Sequence, residues 1–308
     1  MYETSGDSMD DDVTVFDEWE IYEEAVDGSG RGIKDWLKNT RTKEVGLFKY
    51  PKEHTNNSKL LTGEHWAENI ASSIANLIGV PCAKTEIGTF KGNIGVMSYL
   101  VRDLNNEILI EGVQYITKTY PAFDVNRLYD VTTNTRYSIQ MIEECINETG
   151  LFKQFAKIPV FDCLIGNSDR HQSNWGIITD TFGNPVKLSP VYDNGSSLCC
   201  FIKEEDIDSY FKDGGRFEAL VGSKSMSAIS WMNERKTRQF DLLDKMYANY
   251  YEQTIDVVRQ IHDKLSNSAI NDILKTIPTK IMSDKHKQLV SKFLQVRRDK
   301  IIQTYNLK

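Results

Sequence analysis

The residues best suited to chemistry form one short run, Gly166-Asn167-Ser168-Asp169-Arg170-His171-Gln172-Ser173-Asn174-Trp175, followed downstream by Val191-Tyr192-Asp193-Asn194-Gly195. An acid on a loop, an amide five residues later and a second acid beyond a β-hairpin are the parts a phosphoryl-transfer site requires. The first acid takes or positions the proton of the attacking hydroxyl; the amide and the second acid hold magnesium against the phosphates. Asp169, Asn174 and Asp193 supply these types in that order. Asp-x4-Asn alone recurs by chance, and its weight here comes from the apolar helix before it, the hairpin after it and the Asp-x-Gly at the hairpin's end. Two neighbours have open roles: His171 either fixes the loop backbone or lies near the phosphates, and Arg170 either holds an anion or forms an ordinary ion pair.

Such a site also needs a lysine on a strand for the phosphates, held by a glutamate from the following helix. Lys49 ends the strand-like run Val45-Gly46-Leu47-Phe48-Lys49-Tyr50, before Pro51. Glu68 lies on the helix after it, with Glu64 one turn earlier as a competitor. Between the first two strand-like pieces, Gly28-Ser29-Gly30-Arg31-Gly32 has the glycine that lets backbone N–H groups approach a phosphate. A plain hairpin turn would look the same.

The elements that must position these groups follow from periodicity. Strand-like pieces surround Trp19 and Ile21, Ile33 to Leu37, and Val45 to Tyr50, an antiparallel meander. Trp66, Ile70, Ile74, Leu77 and Ile78 recur at spacings of three and four and predict a helix from Glu64 to Ile78. Thr62 is its expected cap, and Gly79 and Pro81 its stop. Strands return at 85–90 and 94–101 around Lys91-Gly92-Asn93. Helical texture begins near residue 130, with segments at Tyr137–Asn147 and Leu151–Ile165, the second kinked or restarted by Pro159. A hairpin, Trp175–Ile178 with Val186–Val191, interrupts it, and helices run from 240 to 308. The expectation is an α+β, two-lobed, kinase-like fold. A flexible acidic tail (1–12) leads into a β-rich N-lobe with one main helix (13–101), then a mostly helical C-lobe with the catalytic loop and metal-binding hairpin (102–308).

The run Gly-Asn-x-Asp-Arg-His-x-x-Asn-Trp-Gly with its following Tyr-Asp-Asn-Gly resembles the HipA-like serine/threonine kinases, in particular the short bacterial cell-translocating type. Phe48-Lys49-Tyr50-Pro51 is similar to the family's lysine strand. Glu68 through Val80 and Ile87 to Lys91 are similar to its helix, exit glycine and next hairpin. The resemblance implies a kinase using ATP and Mg2+, with Asp169 as base, Asn174 and Asp193 as metal ligands and Lys49 on the phosphates. It places an adenine-binding hinge around Met97, Tyr99 and Leu100, and implies autophosphorylation in the glycine loop, with Ser29 as the site. The expected substrate is a protein presenting Ser or Thr. An antitoxin or a host protein is a further partner that relatives of this kind suggest. Two departures from ordinary protein kinases stand out: no His-Arg precedes Asp169, and Asn194 replaces the phenylalanine of Asp-Phe-Gly. The Asp-Arg-His-x-x-Asn order also resembles phosphoinositide kinases, so a lipid or small-molecule kinase is the first alternative and a nucleotide-binding pseudokinase the second.

Charge and composition narrow the rest. The net charge of −7 is concentrated at one end: eleven of 44 acids fall in residues 1–27, ahead of the first base, Arg31, leaving a body of +4. The whole-chain charge is therefore no argument about partners, and no nucleic-acid-binding element is apparent. No apolar run approaches the ~18 residues of a membrane span. The acidic start is unlike a secretory leader, and five cysteines without metal or disulfide spacing suit a reducing compartment. These features predict a cytoplasmic protein, with secretion as an effector left open by the resemblance.

Overall fold

The computed structural model describes residues 13–23, 33–54 and 60–307. Six strands form the first sheet: β1 (Thr14–Val15), β2 (Trp19–Ile21), β3 (Lys34–Asn39), β4 (Val45–Lys49), β5 (Thr85–Phe90) and β6 (Asn93–Tyr99). Their spatial order is β1-β5-β6-β4-β3-β2. The meander and hairpin expected from alternation are present and antiparallel, whereas β1 runs parallel to β5. Phe16, Trp19, Leu37, Phe48, Phe90 and Met97 form a compact aromatic-rich cluster on this sheet. Edge-on ring contacts such as Phe16 to Phe48, at 5.7 Å, hold it together.

Helix α1 (Glu64–Leu77) joins β4 to β5 and buries Trp66, Ile70 and Ile74, the residues whose spacing predicted it. Its cap differs from expectation. Gly63 occupies the N-cap, and the Thr62 hydroxyl instead donates to Glu64 Oε2 at 2.7 Å. The Gly63 N–H reaches across to Cys200 O at 2.7 Å, which ties the start of α1 to the helical half.

Beyond the sheet come β7 (Glu107–Glu111), α2 (Gly112–Thr119) and a small meander of β8 (Phe123–Asp124), β9 (Tyr129–Asp130) and β10 (Thr135–Arg136). Helices α3 (Ile139–Ile146), α4 (Phe152–Phe155) and α5 (Lys157–Ile165) follow, then the hairpin β11 (Gly176–Asp180) and β12 (Pro185–Leu188). The chain closes with α6 (Ile207–Lys212), α7 (Gly214–Glu218), α8 (Gln239–Asn249), α9 (Tyr251–Lys264), α10 (Asn267–Lys275) and α11 (Asp284–Thr304). The helix expected over Leu151–Ile165 restarts at Ala156, which places Pro159 in the first turn of α5, where its missing N–H leaves no partner unsatisfied. The hairpin gains a third strand, because β7 pairs antiparallel with β11 along its whole length.

The apolar face of α1 belongs to the same buried cluster as residues of α5, α9 and α11, so the two halves share one core. Within the basic run Lys285–Lys300 of α11, Arg297 is fully buried. Its guanidinium donates to the carbonyls of Cys163 and Val221, to Ser225 Oγ and to Gln239 Oε1, between the rings of Phe240 and Phe293. A buried cation with this many acceptors clamps α11 to α5 and α8. All five cysteines are free thiols.

Candidate active site

Helix α5 ends at Gly166, whose φ of +71° turns the chain into the Asp169 loop; a Cβ there would lie 2.7 Å from the Phe293 ring. Asn167 then organises the loop: its Nδ2 donates to Asp162 Oδ1 at 3.1 Å and its Oδ1 accepts the Asp169 N–H at 3.0 Å. The Asp169 carbonyl accepts both the His171 N–H (2.8 Å) and Asn174 Nδ2 (2.8 Å). The Asn174 amide is thereby oriented, with Oδ1 as the atom left for a ligand. His171 Nδ1 accepts the Ser173 N–H at 3.2 Å, so that nitrogen serves the loop itself while the residue lines the cleft. Trp175 anchors the loop from below, buried, with Nε1 donating to Tyr137 Oη at 2.8 Å.

Arg170 turns inward. It is 1% exposed and forms a two-point bond to Asp162, Nε to Oδ2 at 3.0 Å and Nη2 to Oδ1 at 2.8 Å. The same guanidinium donates to the carbonyls of Asn174 (2.8 Å) and Tyr192 (2.7 Å) and to Asn194 Oδ1 (2.5 Å). One side chain therefore joins α5, the Asp169 loop and the Asp193 loop, and it is an ion-pair partner. Asn194, fully buried, closes this polar network, its Nδ2 reaching Cys82 Sγ at 3.5 Å. Gly195 passes close under α1: a Cβ there would stand 3.2 Å from Glu64 O and 3.3 Å from Glu68 Oε2.

Asp193, in the left-handed region at φ +58°, presents its carboxylate to Lys49, with Nζ to Oδ1 at 3.0 Å. Glu68, 1% exposed, lies on the other side of the same ammonium at 3.6 Å, and its Oε1 has no partner among the described residues. Burial disfavours the Lys49 charge, but Asp193 and Glu68 together outweigh it and raise the pKa. The Lys49 charge in turn lowers Asp193 to about 2 against the cost of burial. Asp169 moves the opposite way: burial raises its pKa, His171 partly offsets that, and the Asp193 charge adds to the rise. The competition between the two glutamates resolves into separate partners, because Glu64 pairs with Lys52 at 2.8 Å.

These groups line one cleft of about 1130 Å³ between the first sheet and the helical half. Val45, Leu47, Val96 and Leu109 line it with apolar surface; Lys49, Lys52, Asp169, Asn174 and Asp193 line it with polar groups. Lys34 stands directly across the β3–β4 register from Lys49 and also lines the cleft. Gly28, Ser29, Gly30 and Arg31, the expected phosphate loop, lie outside the described residues. The expected hinge needs correction at Met97. Along β6 the residues alternate, and Val96 and Ser98 face the cleft while Met97 is buried in the aromatic cluster away from it. Tyr99 and Leu100 border the cleft, but their N–H groups already donate to Lys84 O (2.9 Å) and Val45 O (3.0 Å), and the Tyr99 hydroxyl donates to Glu86. Asp162, Lys34 and Lys52 were not singled out from sequence. The first had a signal, as the one acid in the apolar stretch Ile158–Ile165, which calls for a buried cation.

A two-part fold whose shared cleft gathers a lysine–glutamate pair, a loop acid with its amide and a second acid defines a kinase-like architecture. The HipA-like C-terminal domain profile matches residues 32–273, and the chain belongs to that family. It is 23% identical over 267 residues to the serine/threonine-protein kinase CtkA of Helicobacter pylori, covering 84% of this chain and 78% of that protein. The crystal structure of the H. pylori proinflammatory kinase CtkA superposes with a TM-score of 0.78 at 20% identity, over 95% of this chain and 97% of that one. HipA of Shewanella oneidensis, in its complex with HipB and operator DNA, superposes at a TM-score of 0.52 and 12% identity, over 93% of this chain and 68% of that one. Among the described residues no helix is long and apolar enough to cross a membrane.

Proposed function

We propose that the chain is an ATP- and magnesium-dependent kinase that phosphorylates Ser or Thr hydroxyls of a protein. The observation that carries this reading is the convergence on one cleft of Lys49 with Glu68, Asp193, Asn174 and Asp169. Family membership and the likeness to a serine/threonine-protein kinase support it.

The donor set fits magnesium. Asp193 is held ionised and Asn174 offers an amide oxygen, both hard donors, and Mg2+ is typically held by one or two carboxylates with phosphate and water completing its shell. When bound, the ion neutralises charge building on the phosphates. The protein's own part is positioning. Lys49 holds the non-transferred phosphates, Glu68 holds Lys49, and the apolar walls at Val45, Leu47 and Val96 enclose the base. The base would meet the rim of the cleft formed by Ser98 to Arg102. Asp169 orients the acceptor hydroxyl. That oxygen bonds to the γ-phosphorus as the bridging P–O bond breaks, ADP leaves, and the hydroxyl proton passes to the Asp169 carboxylate.

The test offers radiolabelled ATP and magnesium together with a protein extract, phosphoinositides or sugars. Label in protein Ser or Thr is the expected result. Label confined to lipid or sugar moves the substrate class, and ATP binding without ADP release makes the chain a nucleotide-binding module. A HipB-like protein is the first binding partner to examine, given the Shewanella complex, and autophosphorylation at Ser29 is read by mass spectrometry after incubation with ATP.

A further inference from the structure

Helix α1 carries two glutamates one turn apart, and each holds a lysine. Glu68 meets Lys49 at 3.6 Å; Glu64 meets Lys52, three residues further along the chain, at 2.8 Å. The second pair is built into its surroundings. Glu64 Oε2 accepts the Lys52 N–H (3.1 Å) and the Thr62 hydroxyl (2.7 Å), and the Lys52 carbonyl accepts the Thr62 N–H (2.7 Å). Backbone and ammonium of Lys52 are thus both placed by Glu64, on the wall of the cleft that Asp169 and Asp193 also line. The Glu64 hydrogen bond raises the Lys52 pKa against a lesser effect of burial, with Asp169 and Asp193 adding to the rise, so the group is a cation throughout the neutral range.

The Asp169 loop supplies no lysine or arginine to the cleft; its cleft-lining base is His171, whose Nδ1 is taken by the Ser173 N–H. Between Asp169 and Asn174 stand Arg170, His171, Gln172 and Ser173, and the Arg170 guanidinium is turned away into the interior. Transfer of a phosphoryl group spreads negative charge over its oxygens midway between donor and acceptor, and fixed cations at that point lower the barrier. We propose that Lys52, aimed by Glu64, is the cation that meets the transferring phosphoryl group on the Asp169 side of the cleft. The two lysine–glutamate pairs of α1 then divide the work: Lys49–Glu68 grips the phosphates that stay on the nucleotide, and Lys52–Glu64 stabilises the one that leaves. This assignment rests on the kinase reading above.

The experiment compares Lys52→Met, Lys52→Arg and Glu64→Gln with the wild-type full chain. Two readouts are used: turnover, and affinity for a non-hydrolysable ATP analogue and for ADP with aluminium fluoride, all with magnesium. Lys52→Met should lower kcat about 100- to 1,000-fold and weaken the aluminium fluoride complex by a similar factor, as loss of one transition-state donor does. Its affinity for the ATP analogue should be unchanged. Lys52→Arg should recover part of both losses, and Glu64→Gln should show a smaller version of them. If Lys52→Met melts early, Lys52→Gln, which keeps the stem and a polar end, repeats the comparison. Wild-type kcat and aluminium fluoride affinity in the folded lysine variant overturn the proposal; so does an equal loss for the ATP analogue, which would make Lys52 a ground-state contact. Asp169→Ala separates the two levels. A wild type without any transfer refutes the kinase reading itself, whereas an active wild type, a dead Asp169→Ala and a fully active Lys52→Met refute only the role of Lys52.

Discussion

Replacing Arg170 by Met tests whether the site is held together from within. The substitution keeps the volume of the stem and removes the bonds to Asp162, Asn194 and the carbonyls of Asn174 and Tyr192. It leaves the Asp162 carboxylate, 5% exposed, with Asn167 as its one remaining side-chain donor among the described residues. Breaking a buried pair on one side costs about 3–5 kcal/mol, chiefly because the other charge stays buried alone. Two carbonyls left without their donor add about 1 kcal/mol each, so the total lies near 5 kcal/mol or above. That is a large part of the ~5–15 kcal/mol that stabilises a folded protein. Urea unfolding at neutral pH, followed by circular dichroism, reads it directly. The decisive comparison adds Asp162→Leu, which alone strands the guanidinium and in combination removes both charges. The double variant should be at least about 2 kcal/mol more stable than the sum of the single losses predicts. An Arg170→Met protein within about 1 kcal/mol of wild type, or a strictly additive double variant, refutes the reasoning.

Further outcomes follow from the same geometry. Asp169→Ala should abolish phosphoryl transfer while nucleotide affinity by calorimetry persists, whereas Asp193→Ala should weaken nucleotide binding in a magnesium-dependent way. Glu68→Gln should raise the KM for ATP by loosening Lys49, with the ammonium still paired to Asp193; an unchanged KM would show that Glu68 has no part in placing it. Activity should fall on acidification through a pKa above the ordinary aspartate range, because burial raises Asp169 and a proton acceptor must be ionised; an acidic limb at or below that range contradicts the assignment. His65, buried and lowered to about 4 by loss of solvation, is neutral in the folded chain and charges more readily when unfolded. Stability should therefore decline as pH falls from about 6.5 to 4, by roughly 3 kcal/mol for this group. His65→Phe, measured by urea unfolding at several pH values, should flatten that part of the profile.

The reacting groups were legible because they sit in two contiguous stretches on either side of a hairpin, where spacing carries the information. Helix α1 and the strands around it were equally open, since Trp66, Ile70 and Ile74 all fall on one face and alternation marks β5 and β6. What sequence could not show was pairing at long range. The strand Glu107–Glu111 reads as a short apolar segment between acids, and only its partner β11, far along the chain, makes it part of a sheet. The same holds for Thr14–Val15 against β5. Alternation said that Met97 and Ser98 face opposite ways without saying which faces the cleft. Arg297 sits in a run of bases at helical spacing, and its burial depends on acceptors from Cys163, Val221, Ser225 and Gln239 that no local pattern announces. The Glu64–Glu68 ambiguity dissolved for a related reason: a second lysine, Lys52, was waiting for the first of them.

The replacement of a phenylalanine by Asn194 has a pharmacological consequence. In kinases with that phenylalanine, the packing of its ring sets the active and inactive states. Here the side chain is an amide bonded to Arg170 and Cys82 with no exposed surface, and withdrawing it would leave a buried guanidinium short of an acceptor. No ring is there to repack, and selective ligands for this chain have to be sought in the nucleotide space itself, along the wall bearing Lys34 and Lys52.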